Sequence, residues 1–226
     1  GTMRAGWMGL AAIAAGASIW CTHFIAMLAY LVRAPFIFDP SLTVLSLLVA
    51  VAGSAAGITV ALNRAGGLLV PFGGAILGGT IAAMHYVGML GYRVDGFVDW
   101  HIGYVAASVA IGAVLCTLSM KQVVERPSKY SHVISVALFV AAVVGMHFTG
   151  MAAYTVTPMV SGAPVADAAS HTVLAIAIAG VSSVIAATGI ISFIIDTTAS
   201  QEMVQRLLQL ATSDALTGLP NRIRFA

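Results

Sequence analysis

Met84-His85-Tyr86-Val87-Gly88-Met89-Leu90-Gly91-Tyr92 places a histidine, a methionine and a tyrosine at intervals of four and three within an otherwise apolar run. Residues four and seven apart return to one face of an α-helix, so His85, Met89 and Tyr92 share a stripe. The stretch occurs twice more, as Thr22-His23-Phe24-Ile25-Ala26-Met27-Leu28-Ala29-Tyr30 and as Met146-His147-Phe148-Thr149-Gly150-Met151-Ala152-Ala153-Tyr154. Successive histidines lie 62 residues apart both times, which marks an internal repeat. A period of two helices and two loops would set all three copies on helices running the same way.

Outward from these copies the chain reads as a membrane protein. Its 226 residues are 60% hydrophobic and 8% charged, with a mean hydropathy of +1.00, whereas soluble domains are about a quarter charged. A helix needs about 20 uncharged residues to cross a bilayer. Uncharged windows of 28, 24, 28 and 21 residues lie between Arg4 and Arg33, Asp39 and Arg64, Arg64 and Arg93, and Asp99 and Lys121, and two more follow, of 37 residues from Lys129 to Asp167 and of 28 from Asp167 to Asp196. These predict an all-α, polytopic helix bundle with six spanning helices, near 7 to 32, 41 to 62, 68 to 92, 101 to 121, 131 to 155 and 171 to 195. The first window is too long for a signal peptide and is followed by five others. Cys21 and Cys116 sit in apolar stretches, which excludes a disulfide framework and reads as small buried hydrophobes. Cys21, two residues from His23, is a minor candidate for an extra ligand.

Alternating helix ends place Arg4, Arg64, Lys121, Arg126, Lys129, Arg206, Arg222 and Arg224 on one side and Arg33 and Arg93 on the other. The positive-inside rule then predicts a multi-pass membrane protein with both termini in the cytoplasm. Asp39, Asp99 and Asp167, each just before a helix, read as N-caps or solvated loop carboxylates. Gly73, Gly74, Gly78 and Gly79 read as close-packing positions on the third helix. After Asp196 the pattern turns amphipathic, with Met203, Leu207 and Leu210 on one stripe. Three regions are therefore expected: a membrane domain at 1 to 196, a cytoplasmic linker helix at 197 to 212 able to pair two copies, and a further segment at 213 to 226.

His23, His85 and His147 precede the outer loops by 8 to 10 residues in the first two copies, about 12 to 15 Å of helix, so one layer holds three imidazoles. Ionisable groups at membrane depth are rare and functional by default. The layer with Met27, Met89 and Met151 is a candidate metal site, with Met84 and Met146 as further ligands lying about 100° off the histidine stripe. Imidazole suits copper, zinc, iron and nickel, and thioether sulfur selects Cu(I), so copper is the expected cofactor and haem the alternative. The small residue three positions after each histidine, Ala26, Gly88 or Gly150, would let a neighbouring helix approach the imidazole. Tyr30, Tyr92 and Tyr154 fit an interfacial aromatic belt. His101 and His171, which begin helices at the outer face, read as solvated loop residues, with an entry-site ligand role as the alternative, and His132 lies on the opposite side.

The Met-His-Tyr/Phe-x-Gly-Met copies resemble the MHYT membrane sensor domain of bacteria. The resemblance implies seven spanning helices, the seventh expected before Gly1, and copper held by His85, Met84 and Met89, by His147, Met146 and Met151, and by His23 and Met27. It also implies sensing of oxygen, carbon monoxide, nitric oxide or redox state. The first copy departs from the pattern at Thr22 and Ala26. Ser213-Asp214-Ala215-Leu216-Thr217-Gly218-Leu219-Pro220-Asn221-Arg222 resembles the opening of a GGDEF domain, which implies regulation of cyclic di-GMP by a C-terminal cytoplasmic enzyme, a diguanylate cyclase or a phosphodiesterase, acting as a homodimer. The resemblance implies a catalytic signature further on than Ala226, so no catalysis is expected of these residues; no nucleic-acid partner is expected either. A metal- or haem-binding transporter would show polar residues across the inner leaflet, where Ala, Gly, Ile, Leu and Val prevail. A plain membrane anchor with packing histidines would not need the triple layer.

Overall fold

The computed structural model describes residues 2–30, 34–62, 67–159 and 168–212. It divides into two units, residues 1–185 and 186–226. In chain order the elements are α1 (Thr2–Leu28), β1 (Phe36–Phe38), α2 (Pro40–Ala61), α3 (Leu69–Gly91), β2 (Tyr92–Val94), β3 (Gly96–Trp100), α4 (Ile102–Glu125), α5 (Ser131–Ala152), β4 (Tyr154–Pro158) and α6 (Ala168–Thr212). All six helices contain a stretch long and apolar enough to cross a membrane. The protein is an integral membrane helix bundle.

Small residues bring the helices of the first unit together. A Cβ on Gly74 would stand 2.5 Å from Thr117 Cα, and one on Gly78 would overlap the Gly112 carbonyl oxygen, so α3 and α4 touch backbone to backbone. On the other side of α3, Gly73 lies against Ala61 and Gly57 of α2. Such contacts bind helices in lipid, where no hydrophobic driving force separates helix from solvent. Gly79 departs from the expected pattern: a Cβ there meets nothing within 4 Å.

Helix ends follow local chemistry. Asp39 caps α2, accepting from the N–H groups of Ser41 and Leu42 at 2.9 and 3.2 Å, with Pro40 entering the first turn. Arg93 donates to the same carboxylate at 2.6 Å. The Asp39 N–H donates to the Gly91 carbonyl at 2.8 Å, which joins the start of α2 to the end of α3. α4 runs four residues past its expected end and stops at Arg126, which has φ 45° and precedes Pro127. Asp99 is no cap; it lies in β3 opposite Thr155. Asp167 lies outside the described residues.

The four strands were not foreseen. β1 pairs antiparallel with β2, in the register Phe36↔Val94, Ile37↔Arg93 and Phe38↔Tyr92. β3 pairs antiparallel with β4 from Gly96↔Pro158 to Trp100↔Tyr154. The pair Trp100↔Tyr154 is Phe38↔Tyr92 moved 62 residues along the chain, so the repeat governs the ladders as well as the helices. These ladders end α5 at Ala152, before the expected 155, because Tyr154 already pairs with Trp100. The first helix ends at Leu28 rather than near 32, with residues 31–33 outside the described set.

The second unit is described as helix from 186 to 212, and Met203, Val204, Leu207 and Leu208 on it are exposed. Residues 213–226 lie outside the described set, as does the side chain of Leu210.

Candidate metal centre

Three helices, α1, α3 and α5, each deliver one histidine to a common point. His23, His85 and His147 are 2%, 0% and 7% exposed, and their Nδ1 atoms form a nearly equilateral triangle with edges of 3.2, 3.3 and 3.3 Å. The ring planes meet at 77 to 88°, so the imidazoles are set like propeller blades around the centre.

The glycines of the second and third copies shape this convergence. A Cβ on Gly88 would stand 2.6 Å from His23 Nε2, and one on Gly150 would stand 2.6 Å from His85 Nε2. Two of the three rings, His23 and His85, are thus seated on the glycine three residues after the histidine of the next copy. The Nε2 atoms of His23 and His85 are buried without a hydrogen-bond partner. They face the backbone of Gly88 and Gly150, which leaves Nδ1 as the atom these two rings offer to the centre.

The donor set fits a metal ion. Metal–nitrogen bonds of 2.0–2.1 Å in a tetrahedral set place neighbouring nitrogens about 3.3 to 3.4 Å apart, and the triangle has those dimensions to within about 0.2 Å. With each ring in the tautomer that leaves Nδ1 unprotonated, three lone pairs meet at one point, the arrangement a cation would stabilise. The three rings form the one group of His, Cys, Asp or Glu among the described residues whose ligand atoms lie close enough to share an ion. Haem does not fit. A macrocycle between two axial histidines holds them about 4 Å apart and needs a wide slot, whereas all three Nδ1 atoms lie within 3.3 Å of one another.

Met27, Met84 and Met89 are 1% exposed, Met146 is 0% exposed, and Met151 is half-buried. Met146 Cγ would lie 3.5 Å from a Cβ on Gly112, so its side chain packs along α4, off the histidine stripe. Cys21 does not join the centre; its Sγ lies 3.6 Å from Ser182 Oγ and 3.9 Å from the Ile178 carbonyl oxygen, on α6.

Seven residues past the histidines, the tyrosines form a second layer rather than a lipid-facing belt. Tyr92 and Tyr154 are 3% and 5% exposed, with rings 6.4 Å apart, and Tyr30 stacks 6.0 Å from Tyr92. Phe36 and Phe38 cover Tyr92, and Trp100 covers Tyr154. Burial first, then the neighbouring phenols, pushes the Tyr92 hydroxyl well above its ordinary pKa. Burial, then the Tyr30 phenol, pushes Tyr154 up to about 12. Both hydroxyls are buried without a partner. The sequence reading put these tyrosines in an interfacial belt, but the strands fold over them and turn them inward.

The aromatic residue after each histidine differs from copy to copy. Phe24 is fully buried against Trp20, Tyr86 shares a 2.6 Å hydrogen bond with Ser108, and Phe148 is exposed. His171 is no solvated loop residue: its ring lies 5.2 Å from Phe36 and 5.9 Å from Phe38. Only pairing of β1 with β2 brings that platform to it. His101 is exposed beside Tyr104, and His132 lies at the far end of the bundle.

Three tandem copies, each giving one buried histidine to a shared centre within spanning helices, define an integral membrane protein of the sensor-domain type. The chain belongs to the MHYT family, described as the bacterial signalling protein N-terminal repeat, whose model matches residues 16–74, 78–136 and 141–205. It is 33% identical over 97% of its length to the cyclic di-GMP phosphodiesterase NbdA of Pseudomonas aeruginosa. It is 31% identical over 96% to the bifunctional diguanylate cyclase/cyclic di-GMP phosphodiesterase MucR of the same organism. It is 30% identical over 94% to a signalling protein of Caulobacter vibrioides. The matches span 31%, 34% and 26% of those relatives. No solved structure matches the chain at a significant level.

Proposed function

We propose that this region senses a diatomic gas (oxygen, carbon monoxide or nitric oxide) or redox state through a copper ion held by His23, His85 and His147, and thereby regulates cyclic di-GMP turnover by an enzyme joined to its C-terminus. The observation that carries the reading is the triangle of Nδ1 atoms with edges of 3.2 to 3.3 Å, buried where an ionisable group needs a reason to be. Copper is favoured over zinc because the adjacent methionines, Met27, Met89 and Met151, offer thioether sulfur to a soft ion. Met84 and Met146 are second candidates, Met146 being the weaker because it packs along α4. A bound copper ion would supply an open coordination position and one-electron chemistry.

The chain's own contribution is orientation. Gly88 and Gly150 fix two of the rings, and the tyrosine layer with its aromatic cover separates the centre from the strand end of the bundle. A signal acts only if it binds two helix arrangements differently. α6 is the element we assign to carry the difference onward, because it leads to the segment 213–226 that resembles a GGDEF opening. The exposed apolar residues Met203 and Leu207 suit pairing with a second copy, as in a coiled coil. The basic residues at the α4–α5 turn, Lys121, Arg126 and Lys129, favour an orientation with that end on the cytoplasmic side of a bacterial inner membrane.

The test uses the full-length protein in cells carrying a cyclic di-GMP reporter, under nitric oxide, carbon monoxide and changing oxygen. The reading expects a change in cyclic di-GMP with at least one of these, abolished by combined H23A, H85A and H147A substitutions in protein that still inserts. An unchanged response in the triple variant would remove the histidines from sensing.

A further inference from the structure

At the end of the bundle away from the strands, the turn between α4 and α5 forms a concavity of about 440 Å³ lined by Gln122, Arg126, Ser128, Lys129, Ser131 and His132, with Val123 at its edge. We propose that this concavity binds the phosphate of an anionic phospholipid headgroup. The proposal is independent of the metal reading and rests on the membrane character of the bundle.

Charge makes the first part of the case. Two cations and an imidazole converge on one hollow, and no carboxylate lines it. The ion pair found among the described residues is Arg93 with Asp39, so neither Arg126 nor Lys129 has an internal counter-ion there. Arg126 is held in place by its left-handed backbone ahead of Pro127. Lys129 lies 5.0 Å from the ring centre of Tyr130, which orders its ammonium without neutralising it.

The hydroxyls make the second part. Ser131, 3% exposed, accepts the Ser128 N–H at 3.0 Å, and Ser128 accepts the Tyr130 N–H at 3.1 Å. Each hydroxyl thereby satisfies a backbone donor and keeps its own proton to give. A guanidinium, an ammonium and two hydroxyl protons around one hollow are donors suited to phosphate oxygens.

Position selects lipid over a soluble anion. Two spanning helices end here, the level at which headgroups lie. Val123 edges the hollow, and Val124 on α4 and Val133 and Val136 on α5 are exposed on the two helices that the turn joins. An acyl chain running down those valines would place its phosphate among the donors, whereas a free phosphate would leave them uncovered. The attraction would weaken with salt, since the hollow is open to solvent.

Native mass spectrometry of the detergent-purified chain with an equal mixture of phosphatidylglycerol and phosphatidylcholine tests this directly. The expected result is preferential retention of one phosphatidylglycerol, reduced at least tenfold by R126Q with K129Q and unchanged by K121Q, a nearby cation that does not line the hollow. Helix unfolding temperature, measured on each variant, confirms that the substituted surface residues leave the fold intact, and K129Q alone should give an intermediate loss. Equal retention in R126Q with K129Q and in wild type would overturn the proposal, as would full displacement of the lipid by inorganic phosphate, which would assign the hollow to a soluble anion.

Discussion

His85 Nε2 faces the α-carbon of Gly150 so closely that a single methyl group there would stand 2.6 Å from it. His23 has the same relation to Gly88. The histidine of one copy and the glycine of the next are therefore one device, and it is the device that aims Nδ1 at the centre.

Gly150→Ala and Gly88→Ala should each displace a buried ring that has nowhere to go. Disturbing groups that orient metal-bound histidines costs about ten- to a hundredfold in affinity, and overpacking about 1 to 3 kcal/mol in stability. Copper titration of each variant should show a loss of that size, while Gly79→Ala, with open space around its Cβ, should bind as wild type. Wild-type affinity in G88A and G150A would separate the glycines from the site.

Gly78 makes the closest approach between α3 and α4. Gly78→Leu should prevent that approach and lower the thermal midpoint of the detergent-solubilised protein by several degrees or abolish folding, whereas Gly79→Leu should be tolerated. The comparison isolates packing from composition, since the two glycines are neighbours.

The tyrosine layer makes an alkaline prediction. Because the native pKa of Tyr154 is raised to about 12 and an unfolded phenol ionises near 10, its contribution to stability is complete below about pH 10 and lost as the pH rises toward 12. Tyr154→Phe should remove part of that alkaline loss. At neutral pH, Y154F and Y92F should leave the midpoint unchanged or raised, since each deletes a buried hydroxyl without a partner.

Asp39 gives the opposite sign. The Leu42 N–H chiefly, then Arg93 and the Ser41 N–H, hold its carboxyl below the ordinary value, with partial burial opposing them. Its contribution is complete above the unfolded pKa of about 4 and is lost as the pH falls through the lower native value. Asp39→Asn should keep the cap and flatten the acid limb of a stability profile, and Asp39→Ala should lower the midpoint at pH 7 as well.

How much of this was legible in the sequence follows from the physics of each signal. The spacing of His23, His85 and His147 is written in the chain, and helices of fixed rise turn that spacing into a common depth. The glycine at +3 pointed to a close neighbour, though only the fold shows that the neighbour is the preceding copy's imidazole. The strands escaped because three to five residues carry too few alternations to distinguish from loop. Missing them inverted the reading of Tyr92 and Tyr154: a tyrosine at a helix end faces lipid by default, and only the ladders Phe38↔Tyr92 and Trp100↔Tyr154 cover it. His171 was misjudged for the same reason, since Phe36 and Phe38 reach it only as part of β1. Gly79 shares its neighbours' identity but points between the two interfaces, a matter of 100° of helix.

The central claim is that three histidines hold a metal, and elemental analysis of the chain purified without chelators tests it most directly, beside a combined H23A, H85A and H147A variant whose helix content matches wild type. The account predicts copper near one per chain in the wild type and none in the variant; wild-type protein that carries no metal, even after reconstitution with Cu(I), would contradict it and leave the triangle as packing.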